Sequence, residues 1–201
     1  MSEAAAPTII IDTREQTPWE FPGAVSIRAK LDAGDYSVEG LERRVAVERK
    51  SLSDAYGTFG GGRDRFEREL ARLQAMEWSA VIIEASMAFA LLHPPERVEK
   101  FTPKHFNRTW IAWAQRFDRV HFMFCDCREL AARQCYLLLE RFWRDCRDGK
   151  RPDPRGADRV PANVEDDVPH PVRIKDRREM NKRFGFKDEA DMFDGKGLRR
   201  G

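Results

Sequence analysis

The chain has 201 residues, 41% of them apolar and 10% aromatic, enough for one globular domain with a real core. Its formal net charge is +2, and residues 151–201 hold 13 Lys and Arg against 11 Asp and Glu, which leaves residues 1–150 neutral with 23 of each sign. That balance excludes a generally basic nucleic-acid binder, four cysteines are too few for a disulfide scaffold of this size, and no apolar stretch approaches a membrane span.

Residues 1–7 read as a disordered lead. Thr8 to Asp12 is predicted as a buried strand from its isoleucine run, and Thr17 to Gly23 as a turn-rich loop. Val25 to Ala29 is a second strand. Gly34-Asp35-Tyr36-Ser37-Val38 begins a short third one, and Glu39-Gly40 supplies the turn into a strand at Arg43 to Arg49. Ser51 then caps a helix, Gly60-Gly61-Gly62 interrupts, and Arg63 to Met76 forms a second helix with Phe66, Leu70 and Leu73 on one face. Ala80 to Glu84 is a central strand. Thr102-Pro103 starts a helix that buries Phe106, Trp110, Trp113 and Phe117. Val120 to Phe124 is another strand, and Arg128 to Cys146 is a long final helix. Strands alternating with helices predict an α/β domain over residues 8–147. Residues 148–201, with prolines among charges, are expected to be mostly disordered, with one short helical piece at Lys175 to Phe184. The amino terminus lacks a basic segment followed by an apolar run, so no signal peptide is expected and the compartment is the cytoplasm, or the nucleus if the source is eukaryotic.

The chemistry concentrates in Val47-Glu48-Arg49-Lys50-Ser51-Leu52-Ser53-Asp54 and in Gly34-Asp35-Tyr36 upstream. Glu48 and Lys50 stand at i and i+2 on a predicted strand, so their side chains leave one face, where Asp35 from the neighbouring strand meets them. Two carboxylates suit a hard divalent cation, and a lysine beside them suits a water that attacks phosphate. Asp35 and Glu48 are the candidate metal ligands, the Arg49 carbonyl a third donor, and Lys50 the group that orients the water. Crowded carboxylates raise each other's pKa, so such a site needs its metal to keep them ionised. Ser51-x-x-Asp54 reads both as a helix cap and as support for the site. Asp12 ends a core strand toward the same edge and is a candidate metal ligand or its support. Arg63 and Arg65 are candidate phosphate contacts, whereas Arg68 and Arg72 read as a solvated face. The three consecutive glycines read either as a phosphate-approaching loop or as a connector. The four cysteines read as packing.

Asp12-x-Arg14-Glu15, then Gly34-Asp35-Tyr36, then Val47-Glu48-Arg49-Lys50-x-x-x-Asp54, in that order, resembles the XPF-type nuclease domain of structure-specific endonucleases, over residues 8 to about 146. The resemblance implies a restriction-endonuclease-like fold with a PD-(D/E)XK-type core, a mixed central sheet flanked by helices. It implies Mg²⁺- or Mn²⁺-dependent cleavage of one strand of branched or flapped DNA, leaving a 5′-phosphate and a 3′-hydroxyl. It puts the acidic site on Asp12, Glu15, Asp35, Glu48 and Asp54, with Arg49 and Lys50 as its basic pair. Arg14, in the first of these motifs, joins Arg63 and Arg65 as a candidate DNA contact. Glu69 stands where the family pattern has glutamine. No helix-hairpin-helix pattern follows residue 150, so DNA selectivity is expected from a partner subunit or helicase. The final helix at 128–146 is apolar around most of its girdle, and the resemblance implies a homodimer or heterodimer through it. The alternative reading is a catalytically silent DNA-binding scaffold subunit.

Overall fold

In the computed structural model, which describes residues 6–96 and 101–153, six strands form one mixed sheet. They are β1 (Ile9–Asp12), β2 (Ser26–Ala29), β3 (Tyr36–Val38), β4 (Val45–Lys50), β5 (Trp78–Ile83) and β6 (Val120–Phe124), and the helices are α1 (Leu52–Phe59), α2 (Arg63–Gln74), α3 (Met87–Leu92), α4 (Pro103–Arg116) and α5 (Arg128–Arg147). The order across the sheet is β2-β1-β3-β4-β5-β6. β3 runs antiparallel to both β1 and β4, and the other neighbours are parallel.

Alternation decides which face each side chain serves. Val45 and Val47 of β4, with Ala80 and Ile82 of β5, pack under α5 against Cys135, Leu139 and Phe142. Ala46, Val81 and Ile83 face the other way, against Phe59, Phe66, Leu70, Phe106 and Trp113 of α1, α2 and α4. The interior strands therefore read as continuous apolar runs, because both faces are covered. The sheet is the middle layer of an α/β/α arrangement.

The predicted helix starts hold. Ser51 accepts the Asp54 N–H at 3.1 Å and its hydroxyl donates to Asp54 Oδ2 at 2.7 Å. Thr102 accepts the His105 N–H, with Pro103 in the first turn. The predicted glycine interruption is a packed joint: a Cβ on Gly60 meets Phe101 and the Tyr56 carbonyl at 3.2 Å, and one on Gly62 meets the Thr58 backbone at 3.1 Å. Several boundaries move. β4 runs through Lys50 and β5 begins at Trp78. α3, capped by Ser86, was not predicted because six residues carry too little periodicity. Trp110 is only half-buried, its Nε1 donating to Asn107 Oδ1 at 2.9 Å.

After α5 the chain turns back onto the sheet. Buried Arg44 pairs with Glu77 and donates from Nη2 to the carbonyls of Arg151 and Pro152, both at 3.1 Å. The described chain therefore remains tied to the start of β4 through Pro152. The expected disordered lead falls largely outside the described residues, as does the expected helical piece at 175–184.

Candidate active site

β4 and the start of β3 build the site. The Asp35 N–H donates to the Val47 carbonyl at 2.9 Å, and the Asp35 carbonyl accepts from Asp12 N–H at 2.8 Å, so its backbone is tied to both neighbouring strands. Its carboxylate Oδ2 accepts the Arg49 N–H at 2.8 Å. A strand residue turns its N–H and its C=O toward the same edge, so the Arg49 carbonyl also faces Asp35. The Lys50 carbonyl points the opposite way and accepts from Glu84 N–H at 2.9 Å. Glu48 and Lys50 share a face as predicted, with Lys50 Nζ 2.6 Å from Glu48 Oε1 and 4.8 Å above the Phe66 ring.

These groups open on a cleft of about 670 Å³ whose walls include Arg14, Glu15, Gly34, Asp35, Glu48, Lys50, Asp54, Arg65, Glu69 and Arg72. Burial first, and then the negative charge of Glu48, push the Asp35 carboxyl up to about 8, although the Arg49 N–H pulls it down. Burial likewise raises Glu48, against the pull of Lys50. Burial disfavours the Lys50 ammonium, but the charge of Glu48 and its hydrogen bond outweigh this, and its pKa rises. Two carboxylates that repel each other, Glu48 buried and Asp35 half-buried, flanked by a carbonyl, are hard oxygen donors in need of positive charge, so the residues present fit Mg²⁺ or Mn²⁺. Among the described residues no three His, Cys, Asp or Glu converge as a ready ligand set. Two carboxylates and a carbonyl leave coordination positions to water and phosphate, as Mg²⁺ prefers.

Gly34 makes the turn into Asp35 with φ +72°, and a Cβ there meets Ala46 Cβ at 3.0 Å and the Val47 carbonyl at 3.1 Å. Neither neighbour can yield, because both belong to β4. Gly34→Ala is expected to cost about 3 kcal/mol in urea unfolding; a change below about 1 kcal/mol rules out the close approach.

The other predicted site residues are placed unequally. Glu15 lines the cleft, accepts the Thr17 N–H at 2.7 Å and stands 3.5 Å from Arg49 Nη1. Asp54 lines it while capping α1. Arg14 and Arg65 also line it. Asp12 lies behind it, 1% exposed, with both oxygens engaged: Oδ1 takes Arg14 N and Nε at 2.7 Å, and Oδ2 takes Arg14 Nη2 at 3.0 Å and Leu31 N at 2.7 Å. Burial raises its pKa, but these donors outweigh it and hold the carboxyl below the usual range. Asp12 is not among the residues that line the cleft, and its carboxylate braces Arg14, which is. Arg63 is not among the residues that line the cleft; it stands 3.2 Å from Glu67, 3.3 Å from Thr109 of α4 and 5.2 Å from the Trp113 ring.

Sequence reading took Arg65 as a phosphate contact but missed Glu69, Arg72 and Glu84. Arg65, Glu69 and Arg72 recur at spacings of four and three, so they form one stripe along α2, and the cleft lies on it. That spacing was a usable signal. Glu84, one residue past β5, is a hub. Its Oε1 accepts Arg49 Nε at 2.8 Å, Arg128 Nη1 at 2.9 Å and Trp19 Nε1 at 2.6 Å, while Oε2 takes Arg49 Nη2 at 3.1 Å. Arg128 Nη2 also holds the carbonyls of Thr17 and Pro18, at 2.7 and 2.6 Å, so the start of α5 secures the loop that walls the cleft. An acid closing an apolar strand was the only local sign of Glu84.

The fold and site together define a mixed-sheet α/β domain with an acid–acid–lysine cleft at the ends of its central strands. The ERCC4 domain family matches residues 11–138, more than half of the chain, and the chain belongs to that family. No curated protein matches it. Among solved structures, XPF from Aeropyrum pernix is similar at 21% identity, with a TM-score of 0.53 over 72% of this chain and 69% of that one. XPF from Aeropyrum pernix in complex with DNA is similar at 22% identity, with a TM-score of 0.52 over 74% and 69%. These likenesses place the fold as restriction-endonuclease-like, as the motifs implied.

Proposed function

We propose that this protein is a divalent-metal-dependent endonuclease that hydrolyses phosphodiester bonds in branched or flapped DNA during repair, recombination or replication. The observation that carries the reading is the pairing of half-buried Asp35 with buried Glu48, with Lys50 bound to Glu48, opening on a cleft rimmed by arginines. Membership of the ERCC4 family and the likeness to a structure described as an XPF complex with DNA support a structure-specific DNA nuclease. Asp35, Glu48 and the Arg49 carbonyl would hold Mg²⁺ or Mn²⁺. When bound, the cation supplies an activated water and positive charge at the phosphate.

The chain's own residues do the rest. Lys50 keeps its proton and presents an ammonium beside the acids, where it orients the attacking water. The Arg49 N–H pins Asp35, and Glu84 locks the Arg49 side chain on the other face of the sheet. Arg14, Arg65 and Arg72 offer charge to phosphates along the cleft, with Arg14 braced by Asp12. α5 buries Cys135, Leu139 and Phe142 but leaves Leu130 37% and Leu137 43% exposed, surplus apolar surface that favours a homodimer or a related partner subunit through that helix.

The test is cleavage of end-labelled linear duplex, splayed arm, 3′ flap, fork and four-way junction, each with Mg²⁺, Mn²⁺ or EDTA. Wild type is expected to cut near the junction only with metal. Lys50→Ala is expected to lose about 10²–10⁴-fold in rate while still binding the branched substrates. Binding by wild type without cutting under any metal makes the scaffold reading the better one.

A further inference from the structure

Gly34 is buried, and its N–H donates to Glu69 Oε1 at 2.9 Å, across 35 residues of sequence. The next residue is Asp35. Gly34 cannot carry a side chain and is pressed against Ala46 and Val47 of β4. The turn is therefore held from two sides, by the β4 backbone and by a carboxylate from α2. Glu69 is itself held in the cleft wall by Arg72 one turn along α2. A charged acceptor on a backbone N–H is a strong bond, and a buried N–H left without one is costly. Glutamate also brings a third negative charge toward Glu48, which burial and Glu69 both raise.

We propose that Glu69 is a positioning residue: its carboxylate clamps the Gly34 turn to α2 and so fixes the Asp35 carboxylate opposite Glu48. This rests on the nuclease reading for its catalytic consequence, but the clamp itself does not. Among the described residues, the Arg49 N–H bond and the backbone ties define the position of Asp35. A turn released from α2 lets the carboxylate wander, and misplacement on the order of 1 Å costs roughly 10²-fold in rate.

The clamp is tested with Glu69→Ala and Glu69→Gln, where the glutamine carbonyl keeps the acceptor. Three readouts are taken on the full chain: exchange of the Gly34 amide by NMR in metal-free protein, Mn²⁺ binding by calorimetry, and single-turnover cutting at saturating DNA and metal. Glu69→Ala is expected to speed Gly34 exchange and weaken Mn²⁺ binding, each by about tenfold or more, and to slow cutting roughly 10²-fold. Glu69→Gln is expected to restore all three to within a few-fold of wild type, and melting curves confirm that both variants fold. Wild-type exchange, binding and cutting in Glu69→Ala overturn the proposal, and so does failure of Glu69→Gln to rescue them. If wild type binds no Mn²⁺ and cuts nothing, the nuclease reading falls with the catalytic consequence, and the Gly34 exchange still decides the clamp.

Discussion

Asp35→Asn is expected to slow metal-dependent cutting by about 10³-fold while raising the melting temperature of the metal-free protein at pH 7.5. The two effects share one cause. Folding takes the Asp35 carboxyl largely out of water beside Glu48 and pushes it up to about 8 from its ordinary 3.8. Between those values the folded chain binds a proton that the unfolded chain does not. Stability contributed by this group is therefore fully present below about pH 4 and is lost as pH rises through about 8, by up to about 1.4 kcal/mol per pH unit. Asparagine cannot ionise, and its side-chain oxygen still accepts the Arg49 N–H. The variant should gain about 1–3 kcal/mol at pH 7.5, roughly 3–8 °C in melting temperature, and nothing near pH 4.

Metal reverses the ranking. A cation bound only by folded wild type adds about 2.7 kcal/mol when its concentration is 100 times the dissociation constant. Melting curves at pH 4, 5.5 and 7.5, with EDTA or with Mg²⁺, check both halves. Asp35→Asn melting below wild type in EDTA at pH 7.5 contradicts the buried-acid account.

The second large effect is expected from Glu84→Ala. The Glu84 and Arg49 side chains are each only 10% exposed, and removing one partner leaves a largely buried guanidinium with Glu15 at 3.5 Å as its ion-pair partner among the described residues. Breaking such a pair from one side costs about 3–5 kcal/mol, here roughly 8–15 °C in melting temperature. Trp19 Nε1 and Arg128 lose the same acceptor, so the 15–19 segment that walls the cleft loosens with it. Urea unfolding measures the loss. Arg128→Ala should cost far less, because that side chain is 38% exposed and Glu84 keeps its bonds to Arg49 and Trp19. Equal costs for the two variants remove Glu84 from the centre of the network.

Much of this was legible beforehand because it is local. The i, i+2 spacing of Glu48 and Lys50 placed them on one face of a strand, and the structure keeps them there at 2.6 Å. The Ser51 and Thr102 caps depend on bonds three residues long. The order of the three motifs carried the family, and the family match covers residues 11–138. The acids at strand ends were harder. Asp12 and Glu84 both close apolar strands, yet one is consumed by Arg14 and Leu31 and the other by Arg49, Arg128 and Trp19. Nothing in a strand's own pattern tells which cations will reach its end.

The amino-acid sequence by itself determined the strand and helix periods, the helix starts, the acid–acid–lysine set and the family. Periodicity and capping act over two to four residues, so they can be read along the chain. Only the tertiary structure decided that Glu69 meets Gly34 and Glu84 meets Arg49, each across 35 residues, and that Arg72 lines the cleft while Arg63 does not. Those pairings follow from how α2, α5 and the sheet pack as layers, and packing of distant elements leaves no fixed spacing in the chain.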